Sequence, residues 1–80
     1  MSKRGKNIPL KSFREYLKWK GLKLIRTNGG HEVWSKQNLS RPVIIQSHID
    51  PVPLIVVKTN LKTLGVTLDD YDDFLLSPIQ

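Results

Sequence analysis

The sequence predicts a two-layer α+β domain with the element order α-β-β-β-α, in which both helices lie on one face of a three-stranded antiparallel sheet and a short helix follows at the C-terminal end. Its 80 residues suffice for one hydrophobic core and no more. Two segments with helical periodicity each stop at a glycine, and three short strand-like runs lie between them, separated by turn sequences. Strands flanked by helices in this way are typical of two-layer packing.

The first helix is predicted from residue 10 or 12 to residue 20. Its apolar stripe is Leu10, Phe13 and Leu17, with Tyr16 beside it. Ser12 and Glu15 have the spacing of a capping box, which predicts the start of the helix. Gly21 is a natural residue to end it.

A three-stranded meander is predicted next. Leu22–Thr27 reads as the first strand and His31–Lys36 as the second, because the turn sequence Asn28-Gly29-Gly30 separates them. Gln37–Arg41 is a polar connection to a third strand over Pro42–Ser47, where proline is acceptable only at the strand start.

The second helix is predicted over Leu54–Leu64, after a proline-containing loop at 48–53 and before Gly65. One of its faces is apolar: Leu54, Val57, Leu61 and Leu64. A third, acidic helix is predicted over Leu68–Leu76, with Thr67 as its cap. This helix could mimic phosphate over a basic surface or pack on the domain, and we expect packing.

The charge distribution predicts a polyanionic partner. The chain has a net charge of +6, but residues 1–48 hold eleven basic and two acidic residues, whereas residues 49–80 are net acidic. A basic body of this kind most simply binds nucleic acid. We expect residues 1–8 to form a flexible basic arm and residues 9–80 to form a single domain.

Composition also excludes several classes of protein. The chain has no cysteine, which excludes disulfides, thiol catalysis and cysteine-ligated zinc. No apolar run approaches the roughly 20 residues of a membrane span, and the N-terminal residues show no secretory signal. We therefore expect a cytoplasmic protein that does not contact membranes and has no metal site.

His31 is the strongest candidate for chemistry, because it follows two glycines at the mouth of the predicted hairpin. Glycines there allow close approach of a substrate, and free N–H groups in such a turn can hold a phosphate. A neutral imidazole can take a proton from an RNA 2′-hydroxyl. We expect RNA contacts from Arg26, Lys36 and Arg41. His48 could face His31 as a general acid or could simply bind its own loop.

The segment Gly29–Trp34 resembles the glycine–X–histidine hairpin of HicA toxins, the small endoribonucleases of HicA–HicB toxin–antitoxin systems. The residues before it, Leu22–Arg26, agree with the family in order and spacing. Val43–His48 resembles the family's third strand with its terminal histidine, and Asn60–Val66 resembles its second helix and glycine stop. The resemblance covers residues 10–76, and the element order matches the double-stranded-RNA-binding-domain type of fold.

This resemblance implies a toxin that cleaves mRNA without a metal or other cofactor. His31 matches the family's catalytic histidine, and Gly29 and Gly30 match its motif glycines. We therefore expect the RNA to be bound by Gly29, Gly30 and His48 in addition to the three basic residues named above. A HicB-like antitoxin would be the protein partner.

The chain departs from the family at the start of the second helix. Family members often carry a Lys-Gly-Thr-like sequence where this chain has Leu54-Ile55-Val56. We expect Ile55 and Val56 to be partly exposed unless an antitoxin, a second subunit or the third helix covers them, which leaves a homodimer open. Two alternative functions are a non-catalytic RNA-binding module on the same fold and a protein-interaction regulator.

Overall fold

The computed structural model describes residues 7–77 and confirms the predicted architecture. Its elements are α1 (Leu10–Trp19), β1 (Lys23–Asn28), β2 (His31–Ser35), β3 (Val43–Gln46), α2 (Leu54–Leu64) and α3 (Leu68–Leu76). The second and third helices have the predicted bounds, and every strand end lies within one residue of its predicted position. No helix within the described range is long and apolar enough to span a bilayer.

The sheet is an antiparallel meander in the order β1-β2-β3. Alternation along the strands separates two faces. Glu32 and Trp34 on β2, and Val43 and Ile45 on β3, are buried on the inner face. The neighbouring positions His31, Ile44 and Gln46 are exposed on the outer face. The helices therefore cover one face and leave the other open, as predicted.

The core joins α1 to both the sheet and α3. Phe13, Tyr16 and Leu17 on α1 are fully buried. The ring of Tyr16 lies 5.4 Å from that of Tyr71 and 5.7 Å from that of Phe74, both in edge-to-face geometry. This aromatic cluster shows that α3 packs on the domain, as expected.

The predicted capping box at the start of α1 is wrong. The helix begins at Leu10, so Ser12 and Glu15 lie inside it and do not cap it. The backbone N–H of Leu10 donates to Asp50 Oδ1 at 2.9 Å, so the cap comes from a loop 40 positions away. The hydroxyl of Ser12 instead bonds to that of Tyr71. A local pattern was overridden by a long-range contact.

The start of α2 is capped in the reciprocal way. Asn7 Oδ1 accepts from the backbone N–H of Leu54 at 2.9 Å. Between the two caps, Ile8 and Val52 form an antiparallel bridge with backbone bonds of 3.1 and 2.7 Å. The flexible arm predicted over residues 1–8 is thus wrong at its last two positions, because Ile8 is 5% exposed and belongs to the core. Its remaining residues, 1–6, lie outside the described range.

Candidate functional site on the open sheet face

A two-residue turn places His31 at the end of the hairpin. Asn28 pairs with His31, and Gly29 and Gly30 between them have φ of 58° and 87°. Two consecutive left-handed residues are the signature of a type I′ turn, whose twist matches that of the strands. The next residue, Glu32, is buried on the inner face. The imidazole of His31 is therefore exposed on the open face.

His31 has a close partner on the adjacent strand. It pairs with Gln46 of β3, and the backbone N–H of Ser47 donates to the Gly30 carbonyl at 2.7 Å. Gly30 and Ser47 flank the pair, and a hydrogen bond between flanking residues means that His31 and Gln46 form a non-hydrogen-bonded pair of the antiparallel ladder. The Cα atoms of such a pair lie about 4.5 Å apart and its side chains are close together. Asn28, His31 and Gln46 thus form a polar row across the three strands.

A cleft of about 290 Å³ opens beside this row. His31 and Gln46 contribute its polar groups. Its other walls are apolar: Ile44, Ile49, Val52, Pro53 and Val56. The cleft therefore lies between the open face of the sheet and the start of α2, with the candidate base at its edge.

The opposite side of β2 is tied to α1 by a buried carboxylate. Glu32 accepts from Arg14 Nε at 3.1 Å and from Trp34 Nε1 at 3.0 Å, and its second oxygen contacts Arg14 Nη2. Burial raises the pKa of Glu32, but these hydrogen bonds and the charge of Arg14 outweigh burial and lower it below its usual range. The ionised Glu32 therefore fixes β2 on α1 directly beside His31.

A β-bulge brings Arg26 to the His31 face. Leu24 pairs with Trp34 and Arg26 with Val33, so Ile25 is an extra residue in β1. In a regular ladder Arg26 would oppose Glu32 on the helix-covered face. With the bulge, it is exposed on the open face, and its pair with Val33 lies two pairs along the ladder from the pair Asn28–His31. The structure therefore places Arg26 on the same sheet face as His31, and its contact with RNA stays a prediction.

Lys36 lies elsewhere. Its Nζ donates to the Lys20 carbonyl at the C-terminal end of α1, 3.1 Å away. Burial raises the pKa of the nearby Asp70 carboxyl, but hydrogen bonds from Tyr16 and Lys20 outweigh it. The charge of Lys36 acts in the same direction, so the pKa of Asp70 lies below its usual range. The structure does not bring Lys36 to the open face, because its side chain binds the opposite layer.

Arg41 lines a second groove, of about 380 Å³, between β3 and α2. Ile44 and Val56 border both this groove and the His31 cleft. Arg41 is five residues from Gln46 along the chain, about 16 Å at the rise of a strand. It lies at the far end of a continuous surface and not next to His31.

His48 rests on the hairpin turn. A Cβ built on Gly30 would lie 3.1 Å from His48 Nδ1, so the imidazole packs directly over this glycine. His48 is exposed and does not line the cleft. It neighbours the site through the turn, and whether it acts as a general acid stays a prediction.

Sequence reasoning missed Asn28 and Gln46 as members of the site. The two-residue turn in fact determines that Asn28 opposes His31. Gln46 carried a weaker signal, a polar residue in an otherwise apolar strand, because its partner depends on the register between β2 and β3. Strand alternation alone did not reveal which face His31 occupies.

Comparisons of the chain with family models, with curated proteins and with solved structures found no match. The resemblance to HicA toxins therefore depends on the residues quoted above and on the order of the elements. The geometry of the open face is an independent line of argument about function.

Proposed function

We propose that this chain is the toxin of a type II toxin–antitoxin system, a HicA-like endoribonuclease that cleaves mRNA in the cytoplasm without a metal. A HicB-like antitoxin would cover its RNA surface. The single observation that carries the proposal is the exposed imidazole of His31, held at a glycine turn on an open sheet face beside a cleft. The basic character of the chain supports an RNA substrate.

His31 acts as the general base in this proposal. A neutral ring nitrogen takes the proton of a 2′-hydroxyl, and the resulting oxygen attacks the adjacent phosphorus. The bond from phosphorus to the 5′-oxygen breaks, and that oxygen leaves with a proton from the imidazolium or from water. The products carry a 2′,3′-cyclic phosphate and a 5′-hydroxyl.

The remaining groups position the strand and balance its charge. Arg26 lies on the same face as His31, two strand pairs along the ladder, and can bind two phosphate oxygens bidentately. Gly29 and Gly30 leave the turn without side chains, so the sugar–phosphate backbone can approach it closely. Holding the reacting groups in line is itself a large part of such catalysis.

The test is RNA cleavage in excess EDTA by the wild type and by His31→Ala, with fragment ends scored for 2′,3′-cyclic phosphate. We expect cleavage by the wild type only, with loss of at least a hundredfold in the variant. Circular dichroism and thermal unfolding should show an unchanged fold, because His31 is exposed. Equal cleavage by both proteins would contradict the assignment and make His48 the next base to test.

A non-catalytic RNA-binding module is the second candidate, favoured by the partial placement of the basic residues: Arg26 is near His31, but Lys36 and Arg41 are not. It predicts salt-sensitive RNA binding that survives His31→Ala, with no cleavage by either protein.

A protein-interaction regulator is favoured by Ile55, which is 75% exposed at the start of α2. It predicts protein binding that barely changes with salt.

A further inference from the structure

The cleft beside His31 has the chemistry of a binding site for a flat, edge-polar group. Its walls are aliphatic, whereas its polar side chains, His31 and Gln46, lie together on the sheet. At about 290 Å³ it is near the lower end of the range for small-molecule pockets. It therefore suits one ring system and not an extended segment of polymer.

An unpaired nucleobase fits these properties better than the other parts of an RNA strand. Phosphate needs cationic or N–H groups, and the aliphatic walls supply neither. A base has apolar faces that pack on such walls and polar edges that a carboxamide can match with one donor and one acceptor. Gln46 is exposed and borders the cleft, so its amide is available to such an edge.

The pairing of His31 with Gln46 relates this base to the reaction. Because the pair is non-hydrogen-bonded, the two side chains leave the sheet next to each other. A nucleotide whose base lies against Gln46 thus has its ribose within reach of the imidazole. The base held in the cleft then belongs to the nucleotide that carries the attacking 2′-hydroxyl.

We propose that this cleft binds the single unpaired base on the 5′ side of the cleaved bond and that Gln46 determines which base is accepted. This inference rests on the proposed nuclease function and names its substrate more closely: single-stranded RNA read at one position. Gln46 is a specificity residue, and His31 remains the base.

The kinetic test uses four RNA oligonucleotides that differ only in the base 5′ to the cleaved bond. We expect the wild type to prefer one of them in kcat/KM by about fivefold or more, as one bidentate contact typically provides. Gln46→Leu should reduce this preference to within about twofold while cleavage continues. Gln37→Leu, the same change in the exposed connection between β2 and β3, should keep the preference.

A binding test separates failure of this inference from failure of the nuclease function. In the His31→Ala protein, the side-chain amide resonances of Gln46 are followed by NMR during titration with each uncleaved oligonucleotide. We expect them to shift most with the preferred base, or with one of the four bases if the wild type cleaves none. In that last case the nuclease proposal fails and the base-binding cleft stands.

Two results would overturn the inference. One is an equal loss of kcat/KM by Gln46→Leu on all four oligonucleotides, which would make Gln46 a residue of general binding or structure. The other is the absence of Gln46 shifts with every oligonucleotide, which would leave the cleft free for an antitoxin side chain instead.

Discussion

Gly30 is constrained in two ways, and its neighbour Gly29 shares only one of them. Both residues have left-handed backbone, which costs a non-glycine residue about 1–2 kcal/mol. Only at Gly30 would an added Cβ also meet a neighbour, His48 Nδ1, at 3.1 Å. The turn is therefore determined both by its own backbone and by the loop that follows β3.

This difference predicts unequal costs of alanine in the turn. Gly29→Ala should lower the free energy of unfolding by about 1 kcal/mol, and Gly30→Ala should lower it further and displace the His48 ring. Urea unfolding of both variants provides the comparison, and the imidazole resonances of His48 report the displacement. Equal costs with unmoved resonances would show that His48 does not pack against Gly30 and would contradict this account.

Glu32 offers a second comparison between residues. Its carboxylate is buried and bound by Arg14 and Trp34, whereas Glu15 is exposed and pairs with Lys18 at 3.3 Å. Glu32→Gln should cost about 1.5–3 kcal/mol, the usual value for a hydrogen bond to a charged group. Glu15→Gln should change the free energy of unfolding by under about 1 kcal/mol. Comparable losses in urea unfolding would contradict this account of Glu32.

At the scale of the elements, the sequence predicted what depends on local interactions. Gly65 ends α2 with backbone N–H bonds to its last turn, and Thr67 caps α3 by accepting from the Asp69 N–H. Both signals lie within three residues of what they control. The cap of α1 could not be predicted in this way, because Asp50 caps the helix from 40 positions away and Tyr71 binds the hydroxyl of Ser12.

The same distinction between local and long-range interactions applies to the candidate site. The turn and His31 could be predicted, since Gly29 and Gly30 act on adjacent residues. The face of Arg26 and the partner of His31 depend on a bulge at Ile25 and on the register of β3. Neither is encoded within a single strand, so their positions required the paired sheet.

The two reciprocal helix caps predict coupled losses of stability. Asn7→Ala and Asp50→Ala should each cost about 1 kcal/mol, the usual effect of removing a cap. Because the Ile8–Val52 bridge joins the two caps, the double variant should differ from the sum by at least about 0.5 kcal/mol. Thermal and urea unfolding measure all three, with Asp73→Ala on the exposed side of α3 as the control. Strict additivity would show that the caps act independently.

At the scale of the whole molecule, two ionised carboxylates join α1 to its neighbours, Glu32 to the sheet and Asp70 to α3, and make stability depend on pH. The pKa values of Glu32 and Asp70 are both lowered in the folded state, so the unfolded chain binds more protons. Their contribution is fully present above the ordinary carboxyl pKa, about 4, and is lost as the pH falls through the lower folded values.

We therefore expect the free energy of unfolding to fall steadily below about pH 4. A variant with both Glu32→Gln and Asp70→Asn should be less stable at pH 7 but lose less stability on acidification. Denaturant unfolding between pH 7 and pH 2 measures both curves, and Glu15→Gln provides the control. A double variant with the wild-type slope would show that other groups determine acid stability.

The contact between Asn7 and Leu54 joins an early residue of the chain to the part of the proposed site that is synthesised last. The wall of the cleft includes Val52, Pro53 and Val56, and the helix that carries this wall is capped by a residue that leaves the ribosome almost 50 positions earlier. A nascent chain that ends before Val52 has the hairpin histidine but no cleft beside it. Conversely, a chain trimmed to begin at Pro9 would keep every residue of the site and lose the contact that holds one of its walls.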